Sequence, residues 1–280
     1  MKVGIFFHET LSKRSWPIIG DKFKRFPEIV KELSTLENVA VYELKPVSEE
    51  LLLKIHTREM IDRIKSYENY DAGVYGAGGC VVAAEKMWAG DIDSAITPGG
   101  CHHAGRNFAW GGCTFSGIAA AIVNLREKFG VKRFAILDTD SHHGDGTRDI
   151  FLGDRNVLHV CFCSHNTIED GGTKIDVDVG WTTTDEEYLD KVKREFISRA
   201  HKFRPNLILH FLGHDTAKGD YGDRGLTKDF FVELVKHVMK CAEKVCGGKY
   251  LIMMGGGARR DVAEYIFPRI VKVLAGVRQK

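Results

Sequence analysis

Two short runs of apolar residues constrain the fold of this chain more than any other feature. Residues 134–138 read FAILD and residues 207–212 read LILHFL, and both runs lie between longer segments with helical periodicity. A strand with apolar side chains on both sides is typical of the middle of a parallel sheet that helices cover on both faces. The sequence therefore predicts an α/β fold with these two strands in mid-sheet.

The same alternation of short and long segments continues along the chain. It predicts strands at 2–6, 39–42, 94–97, 133–138, 157–161, 206–211 and 250–253. It predicts helices at 26–33, 48–65, 78–87, 116–129, 184–201, 228–245 and 262–274. The stretch 164–183 lacks clear periodicity and is interpreted as a functional loop. No repeat or Pro/Ser-rich linker divides the sequence, so we expect a single domain over residues 1–280.

Composition limits the partners that can be inferred before any site is considered. Forty Lys and Arg residues against 38 Asp and Glu leave a formal charge of +2, which is too small to indicate nucleic acid or a membrane surface. The seven cysteines are odd in number and scattered, and no secretory signal or apolar run of ~18 residues is present. We therefore expect reduced structural thiols in a cytoplasmic protein.

Glycine-rich polar segments follow four of the predicted strands. PGGCHHAGRNF follows the strand that ends at Thr97, TDSHHGDG follows FAILD, GHDTAKGD follows LILHFL, and GGGARRD follows YLIMM. Open α/β sheets bind ligands beyond the carboxyl ends of their strands. Glycine lets the backbone turn tightly there and approach a ligand closely. The four segments should therefore converge on one site.

Asp140 and His142 have a spacing that suits a shared metal ion. Residues two apart in an extended segment point to the same side, as does Asp138, so a carboxylate and an imidazole can reach one cation. Asp215, at the end of another strand, is the natural third ligand. Such a site keeps positions open for water and a substrate carbonyl, and it suits zinc, iron(II), cobalt or manganese. The alternative is a solvated acidic turn at 138–145 that caps the following helix.

His102 and His103 are candidates for the base and acid of an amide hydrolysis. Imidazole titrates near the working pH, so the pair can take a proton from bound water and give one to a leaving amine. Asp138 and Asp145 can each accept a ring N–H and so fix a tautomer. Adjacent histidines after glycines are also common as packed or surface residues. A structural role is expected of the other histidines, among them His56, His143, His201 and His237.

Together these motifs resemble the histone deacetylase and acetylpolyamine amidohydrolase branch of the arginase/deacetylase superfamily. GGCHHAG is similar to that branch's PPGHHA motif, ILDTDSHHGDG to its DxDxHHGxG motif, and FLGHDTAKGD to its GxDxxxxD segment. The glycines before Ala258, including Gly256, resemble its terminal glycine run. The likeness covers nearly the whole chain in the family's order, and DxDxHHGDG combined with HHA is a specific signal.

The resemblance implies a single domain with a central, mostly parallel sheet of about eight strands flanked by helices. It implies one catalytic zinc at the three metal ligands named above, with the histidine pair as general base and acid supported by its two carboxylates. Many members of the family also bind potassium through the segment that matches residues 138–142.

Departures from the family pattern bear on the substrate. Deacetylases of the family usually place a tyrosine directly after the glycine run, where its hydroxyl donates to the developing oxyanion, and this chain has Ala258 there. Losing one such donor typically costs ~2.7 to 4 kcal/mol, or a 10²- to 10³-fold loss of rate. The candidate replacements are Arg259, His214 and Tyr221. Gly112 stands where the family has an aromatic wall of the acetyl-lysine channel, which predicts a wider or differently lined channel.

These departures lead to an expected function with alternatives. We expect a metal amidohydrolase that acts on an N-acyl amine, such as an acyl-lysine, an acetylpolyamine or another small N-acyl amine, and not on ordinary histone acetyl-lysine. One alternative is an acyl-ligand binding protein that lost the chemistry together with the tyrosine. Another is an arginase-like hydrolase with two metals. A nucleic acid carrying an acylated base has little support at a charge of +2.

Overall fold

A nine-stranded sheet forms the centre of the molecule, for which a computed structural model describes residues 1–13 and 15–277. The strands are β1 (Val3–Phe7), β2 (Val39–Glu43), β3 (Ser94–Pro98), β4 (Phe134–Asp138), β5 (Val157–Cys163), β6 (Thr167–Glu169), β7 (Lys174–Asp178), β8 (Leu207–Leu212) and β9 (Tyr250–Met254). Their order across the sheet is β2-β1-β3-β9-β8-β4-β5-β7-β6. Eight strands run parallel, and the short edge strand β6 is antiparallel to β7. The expected mostly parallel α/β sheet of about eight strands is thereby confirmed.

Helices cover both faces of this sheet. They are α1 (Phe26–Leu33), α2 (Glu49–Leu53), α3 (Arg58–Ile64), α4 (Tyr70–Ala89), α5 (Gly117–Phe129), α6 (Asp145–Phe151), α7 (Asp185–Val192), α8 (Ser198–Phe203), α9 (Lys228–Cys246) and α10 (Arg260–Leu274). One apolar cluster joins the sheet to α1, α7, α9 and α10, and a second joins its other face to α2 through α6. Within the described part of the chain, no helix is long and apolar enough to span a membrane.

The two strands that the apolar runs predicted lie side by side near the middle of the sheet. β8 and β4 are neighbours, and every residue of both strands is buried. Ala135 and Leu137 of β4 pack into one apolar cluster, whereas Phe134 and Ile136 pack into the other. Burial on both faces explains why these strands show a continuous apolar run instead of alternation.

The interpretation of residues 164–183 as a loop was wrong, because β6 and β7 form a small hairpin there. The functional role of this stretch stays a prediction. Ile175 and Val177 are buried in the core cluster beneath α7, and Asp178 is exposed. The letters KIDVDV thus alternate with a period of two, which is the signal of a strand. The run is short and contains two aspartates, and the glycines before it favour the prediction of a loop.

Two of the predicted helices are interrupted in the structure. The helix expected at 48–65 is divided into α2 and α3, because Thr57 caps α3 by accepting a hydrogen bond from the Met60 N–H. The helix expected at 184–201 contains a π-helical turn, Lys193–Ile197, between α7 and α8. A hydrophobic period continues across both interruptions, so periodicity alone does not reveal them.

The helix expected at 78–87 is longer in the structure, since α4 begins at Tyr70. Glycines conceal its first turns, because glycine is a poor helix former. Close packing against neighbouring segments explains why glycines occupy these positions. A Cβ on Gly78 would clash with the Lys45 carbonyl oxygen, and one on Gly73 would clash with the Thr114 side chain.

His56 lies between α2 and α3, and its ring joins this helical region to the segment that follows β3. Its Nδ1 lies 2.7 Å from the Gly105 carbonyl oxygen, and its Nε2 accepts from the Ser116 N–H at 3.1 Å. Only a neutral ring with its proton on Nδ1 satisfies both bonds. Burial lowers the pKa of His56 to about 4. The expected structural role therefore holds for this histidine.

Acidification should destabilise the protein through His56. The ring has a pKa near 6.5 when unfolded and about 4 when folded, so the unfolded chain binds the extra proton first. Between about pH 7 and about pH 5 the His56 contribution to the free energy of unfolding should fall by about 2 kcal/mol. Urea unfolding at several pH values should give a flatter pH dependence for His56→Gln than for the wild type. His201→Gln, at an exposed position, should keep the wild-type slope.

Candidate active site

Four neighbouring strands bring their carboxyl ends to one edge of the sheet. Asp138 of β4 lies opposite Phe211 of β8, Phe211 lies opposite Met253 of β9, and Met253 lies opposite Thr97 of β3. Because the strands are parallel and in this register, the glycine-rich segments that follow them meet at one place. The topology thus gives the convergence that the sequence predicted.

Asp140, His142 and Asp215 meet at this edge with ligand atoms that all lie within 4.8 Å of one another. His142 Nδ1 is 2.9 Å from Asp140 Oδ1 and 3.2 Å from Asp215 Oδ2. Asp140 and Asp215 are 2% and 0% exposed, whereas the His142 side chain is 44% exposed. The structure therefore brings the three predicted metal ligands together, with the imidazole on the open side.

Two enclosed carboxylates of like charge are costly unless a positive charge accompanies them. Burial and the charge of Asp140 raise the pKa of Asp215 to about 6. Ser141 offsets part of the cost, since its backbone N–H lies 3.2 Å from Asp215 Oδ1 and its hydroxyl also donates to that carboxylate. A divalent cation fits this donor set, because it neutralises the pair and accepts oxygen and nitrogen ligands. The alternative of a solvated acidic turn does not agree with this burial.

His102 and His103 lie beside the triad, and each ring is bonded to its own carboxylate. His102 Nδ1 lies 2.8 Å from Asp138 Oδ2, and His103 Nδ1 lies 2.7 Å from Asp145 Oδ1. The two ring centroids are 3.9 Å apart. With each Nδ1–H donating to a carboxylate, each Nε2 is left to accept or hold a proton. The pair is therefore neither loosely packed nor on the surface, since the two residues are 2% and 5% exposed.

The two imidazoles experience different electrostatic surroundings. Burial alone would lower the pKa of His102, but the carboxylates of Asp138 and Asp140 outweigh it and raise that pKa to about 9. Burial and the neighbouring His102 lower the pKa of His103 despite its bond to Asp145. A cation bound at the triad would offset the charge of Asp140 and so diminish the rise at His102.

Asp145 is the first residue of α6, a helix that the sequence interpretation missed. Its carboxylate accepts from His103, from the Gly146 N–H and from Trp110 Nε1, the last at 2.7 Å. The Trp110 ring lies over His103, with 3.8 Å between the centroids. Trp110 thus positions both members of the His103–Asp145 pair, a role that no motif indicated.

The glycine run after β9 lies against the triad. A Cβ on Gly256 would clash with Asp140 Oδ2, so only glycine fits there. The ammonium group of Lys22 donates to the carbonyl oxygens of Gly255 and Gly256 and is fully buried. Burial lowers the pKa of Lys22 to about 7, against the opposing effect of Asp140. Lys22 was missed because 233 residues separate it from its partner and no motif surrounds it.

The three candidate replacements for the missing tyrosine lie in different surroundings. The Arg259 guanidinium is bonded to Asp261 and to the Lys218 carbonyl oxygen. His214 is 0% exposed, and neither of its ring nitrogens has a hydrogen-bond partner among the described residues. Tyr221 borders the cavity above the triad, and its hydroxyl accepts from the Gly257 N–H at 2.7 Å.

Tyr221 also lies next to the predicted metal ligands. Its ring centroid is 5.8 Å from that of His142, and a Cβ placed on Gly256 would contact both its hydroxyl and Asp140. Burial and the charge of Asp215 raise the pKa of Tyr221 above its usual range, so the hydroxyl keeps its proton. Since that hydroxyl already accepts from Gly257, its proton is free to be donated into the site.

A cavity of about 610 Å³ opens above the triad and the histidine pair. Gly112 lies in its wall with φ of +77°, and a Cβ there would come within 3.0 Å of the Pro17 carbonyl oxygen and 3.3 Å of Ile18. Residues from the segment after β1 therefore occupy the place beside Gly112, and Trp110 forms an aromatic wall next to it. That this lining differs from that of other family members stays a prediction.

Comparisons with known proteins agree with this fold. A family model described as the histone deacetylase domain matches residues 66–274. The chain is 27% identical over 293 residues to a histone deacetylase-like amidohydrolase of Pseudomonas aeruginosa, covering 90% of this chain and 77% of that protein. It is 26% identical over 314 residues to a probable deacetylase of Archaeoglobus fulgidus, covering 99% and 87%.

Longer relatives and a solved structure extend the comparison. Histone deacetylase clr3 of Schizosaccharomyces pombe is 26% identical over 325 residues, which cover 97% of this chain but 47% of that protein. The chain thus spans about half the length of that relative. The crystal structure of the HDA15 HD domain superposes with a TM-score of 0.86 over 100% of this chain and 89% of that one, at 20% identity. That match shows the fold.

The fold, the domain match and the named relatives define a deacetylase-type hydrolase of N-acyl amides. The family model covers well over half of the chain, and the chain therefore belongs to the histone deacetylase family. Members of this family are generally metal-dependent, and the cluster of Asp140, His142 and Asp215 has donor atoms that suit a metal.

Replacing one of the two buried carboxylates should stabilise the metal-stripped protein. The pKa of Asp215 is about 6 in the folded protein and near 3.8 in the unfolded chain. The free energy of unfolding therefore falls as the pH rises from about 3.8 through about 6. At about pH 7 in excess chelator, Asp215→Asn should raise the free energy of unfolding by about 1 to 3 kcal/mol. Asp223→Asn, an exposed carboxylate of the same segment, serves as the control. A variant that is less stable than the wild type at this pH would contradict the electrostatic account.

Proposed function

We propose that this chain hydrolyses an N-acyl amide with one zinc ion bound by Asp140, His142 and Asp215. The observation that carries the proposal is the meeting of these three ligand atoms within 4.8 Å, directly beside two imidazoles that are each held by a carboxylate. Iron(II), cobalt or manganese would suit the same ligands. Potassium near residues 138–142 and a cytoplasmic location remain predictions.

A zinc ion at such a triad polarises a bound carbonyl and lowers the pKa of a bound water. The residues of this chain then handle the protons. His102 and His103 act as the general base and acid through Nε2, because both Nδ1 atoms are bonded to carboxylates. Asp138 and Asp145 hold the rings in the required tautomer and orientation.

Tyr221 is proposed to donate the hydrogen bond that the family's tyrosine would supply from the position of Ala258. Its hydroxyl is anchored by the Gly257 N–H at 2.7 Å, which leaves its proton available to a developing oxyanion. Arg259 is bonded to Asp261 and Lys218 instead, and His214 is enclosed and lies outside the cavity lining. The hydroxyl would thus reach the site from the segment after β8 and not from the segment after β9.

The cavity supports a substrate with an apolar group near the scissile amide. Its lining is largely apolar and includes Leu11, Trp16, Ile18, Ile19, Phe23 and Met254. Among the described residues that line it, the one carboxylate is that of the metal ligand Asp140. An acetylpolyamine would find no further negative charge there to bind its ammonium groups. We therefore favour an acyl-lysine or a small N-acyl amine with an apolar acyl chain.

The two alternatives from the sequence make different demands on the site. An acyl-ligand binding protein would keep the cavity and the metal but lack an oxyanion donor, whereas Tyr221 offers one. An arginase-like hydrolase would use further carboxylates around a second ion at the triad. Asp138, a carboxylate beside the triad, is bonded to His102. Hydrolysis at a single metal therefore agrees best with the contacts.

Turnover of a substrate panel tests this proposal. The purified zinc-loaded chain should hydrolyse an N-acyl amine with an apolar acyl chain faster than histone-tail acetyl-lysine or acetylpolyamines. His103→Ala should reduce kcat by 10²- to 10⁴-fold, because the proton transfer loses its side chain. His201→Ala should leave it unchanged. Failure of every substrate class, with wild type no better than His103→Ala, would exclude a hydrolase, and tight binding without turnover would favour the binding-protein alternative.

Removing the Tyr221 hydroxyl tests the oxyanion assignment separately. Tyr221→Phe should lower kcat about 10²- to 10³-fold with little change in KM, because the hydrogen bond strengthens only in the transition state. Tyr265→Phe removes a hydroxyl that is bonded to Asp229, away from the cavity, and should have wild-type kinetics. Equal kcat for Tyr221→Phe and wild type would show that another group serves the oxyanion.

A further inference from the structure

A second group of metal-binding side chains lies beside the candidate active site. Cys161 and Cys163 are two residues apart in β5, so their side chains lie on the same face of that strand. Asp176 lies on the neighbouring strand β7, and His143 comes directly after the triad residue His142. Cys161 lies opposite Asp176 in the parallel register of β5 and β7. The sheet therefore places both thiols and the carboxylate on the same face, with the His143 imidazole above them.

The donor atoms of these four residues all lie within 4.8 Å of one another. His143 Nδ1 is 3.2 Å from Asp176 Oδ1 and 3.9 Å from Cys163 Sγ. In a tetrahedral zinc site, bonds of about 2.0 to 2.3 Å place the donors about 3.3 to 3.8 Å apart. Small side-chain rotations are thus enough to bring all four donors onto one ion.

The surroundings favour a cation among these donors. Asp176 is 3% exposed and accepts from the Arg148 guanidinium at 2.7 and 3.2 Å, which fixes its orientation towards His143. The Gly144 N–H points at Cys161 Sγ from 3.3 Å, an arrangement that stabilises a thiolate. Two thiolates and a carboxylate would carry three negative charges. Arg148 is shared between Asp176 and Glu169, so a divalent cation would supply positive charge that this group otherwise lacks.

An ion can reach this group from solvent. His143 lies on the wall of a second cavity, which His142 and His165 also border. His165 Nδ1 is 3.7 Å from Cys163 Sγ, at the outer side of the group. The thiols themselves are buried, so an ion bound there would be enclosed apart from this opening.

We propose that His143, Cys161, Cys163 and Asp176 bind a second divalent cation of thiophilic character, with zinc as the expected ion. Four protein ligands leave no open position, which is the arrangement of a structural and not a catalytic zinc site. Thiolate ligands distinguish it from the Asp140–His142–Asp215 triad, which has none. Because His143 is adjacent to His142 in the chain, the ion would also fix the backbone that carries a ligand of the active site.

Cys163 provides the cleanest way to test this site. Cys161 also lies within reach of Asp138 and His159, so its replacement would disturb a second set of contacts. Among the described residues, Cys163 is part of the proposed site and of no other such group. Cys246, a half-buried thiol bonded to backbone carbonyls of α9 and of the turn after it, offers a matched control.

Cobalt(II) is the probe, because thiolate ligands give it a sulfur-to-metal charge-transfer absorption that carboxylate and imidazole ligands do not. The full chain, reduced and stripped of metal, should take up two equivalents of cobalt and develop this absorption. Cys163→Ser should lose one equivalent and the absorption, whereas Cys246→Ser should keep both. Asp215→Asn should lose the other equivalent and keep the absorption.

The wild-type measurement decides the question even where a variant does not fold. One equivalent of cobalt without the sulfur absorption, in protein whose thiols are shown to be reduced, overturns the proposal. Absorption that survives in Cys163→Ser, with the fold confirmed by circular dichroism, overturns it as well. An inactive enzyme that shows the absorption would argue against the proposed hydrolysis but not against this site.

Discussion

The enclosure of two carboxylates of like charge is the constraint on which the rest of the site depends. Asp140 and Asp215 follow neighbouring central strands and are almost fully buried. Such a pair is stable only where positive charge and hydrogen-bond donors surround it. The Ser141 N–H and His142 supply part of that compensation. The remainder calls for a cation, so the same geometry that makes the two carboxylates costly to enclose gives them affinity for a metal.

The sequence predicts those parts of the molecule that depend on local spacing. The continuous apolar sequences of β4 and β8 indicate that both faces of these strands are buried. The spacing of Asp140 and His142, two residues apart in one segment, is also read directly from the sequence. Lys22 and Trp110 are different, because their roles depend on contacts with residues far away in the chain. Short elements are difficult to predict for another reason. The five residues of β7 carry too little periodicity to outweigh the glycines before them.

The position of Tyr221 bears on the proposal that one strand end can supply a donor in place of its neighbour. β8 and β9 are paired in register, so the segments that follow them border the same space. A hydroxyl carried by either segment can point to the same side of the metal ligands. In this chain the segment after β9 offers Ala258 and a backbone N–H from Gly257, and that N–H holds the Tyr221 hydroxyl. If Tyr221 serves the oxyanion as proposed, the donor is retained although the side chain that carries it has moved.

Two consecutive histidines connect the two groups of candidate metal ligands. His142 turns towards Asp140 and Asp215, and His143 turns towards Asp176 and Cys163. The two rings point towards different groups of side chains, so one short stretch of backbone contributes to both without a further element. The arrangement is sensitive to register, because a shift by one residue would exchange the two imidazoles. The bonds of Asp138 to His102 and of Asp145 to His103, at either end of the stretch, hold it in register.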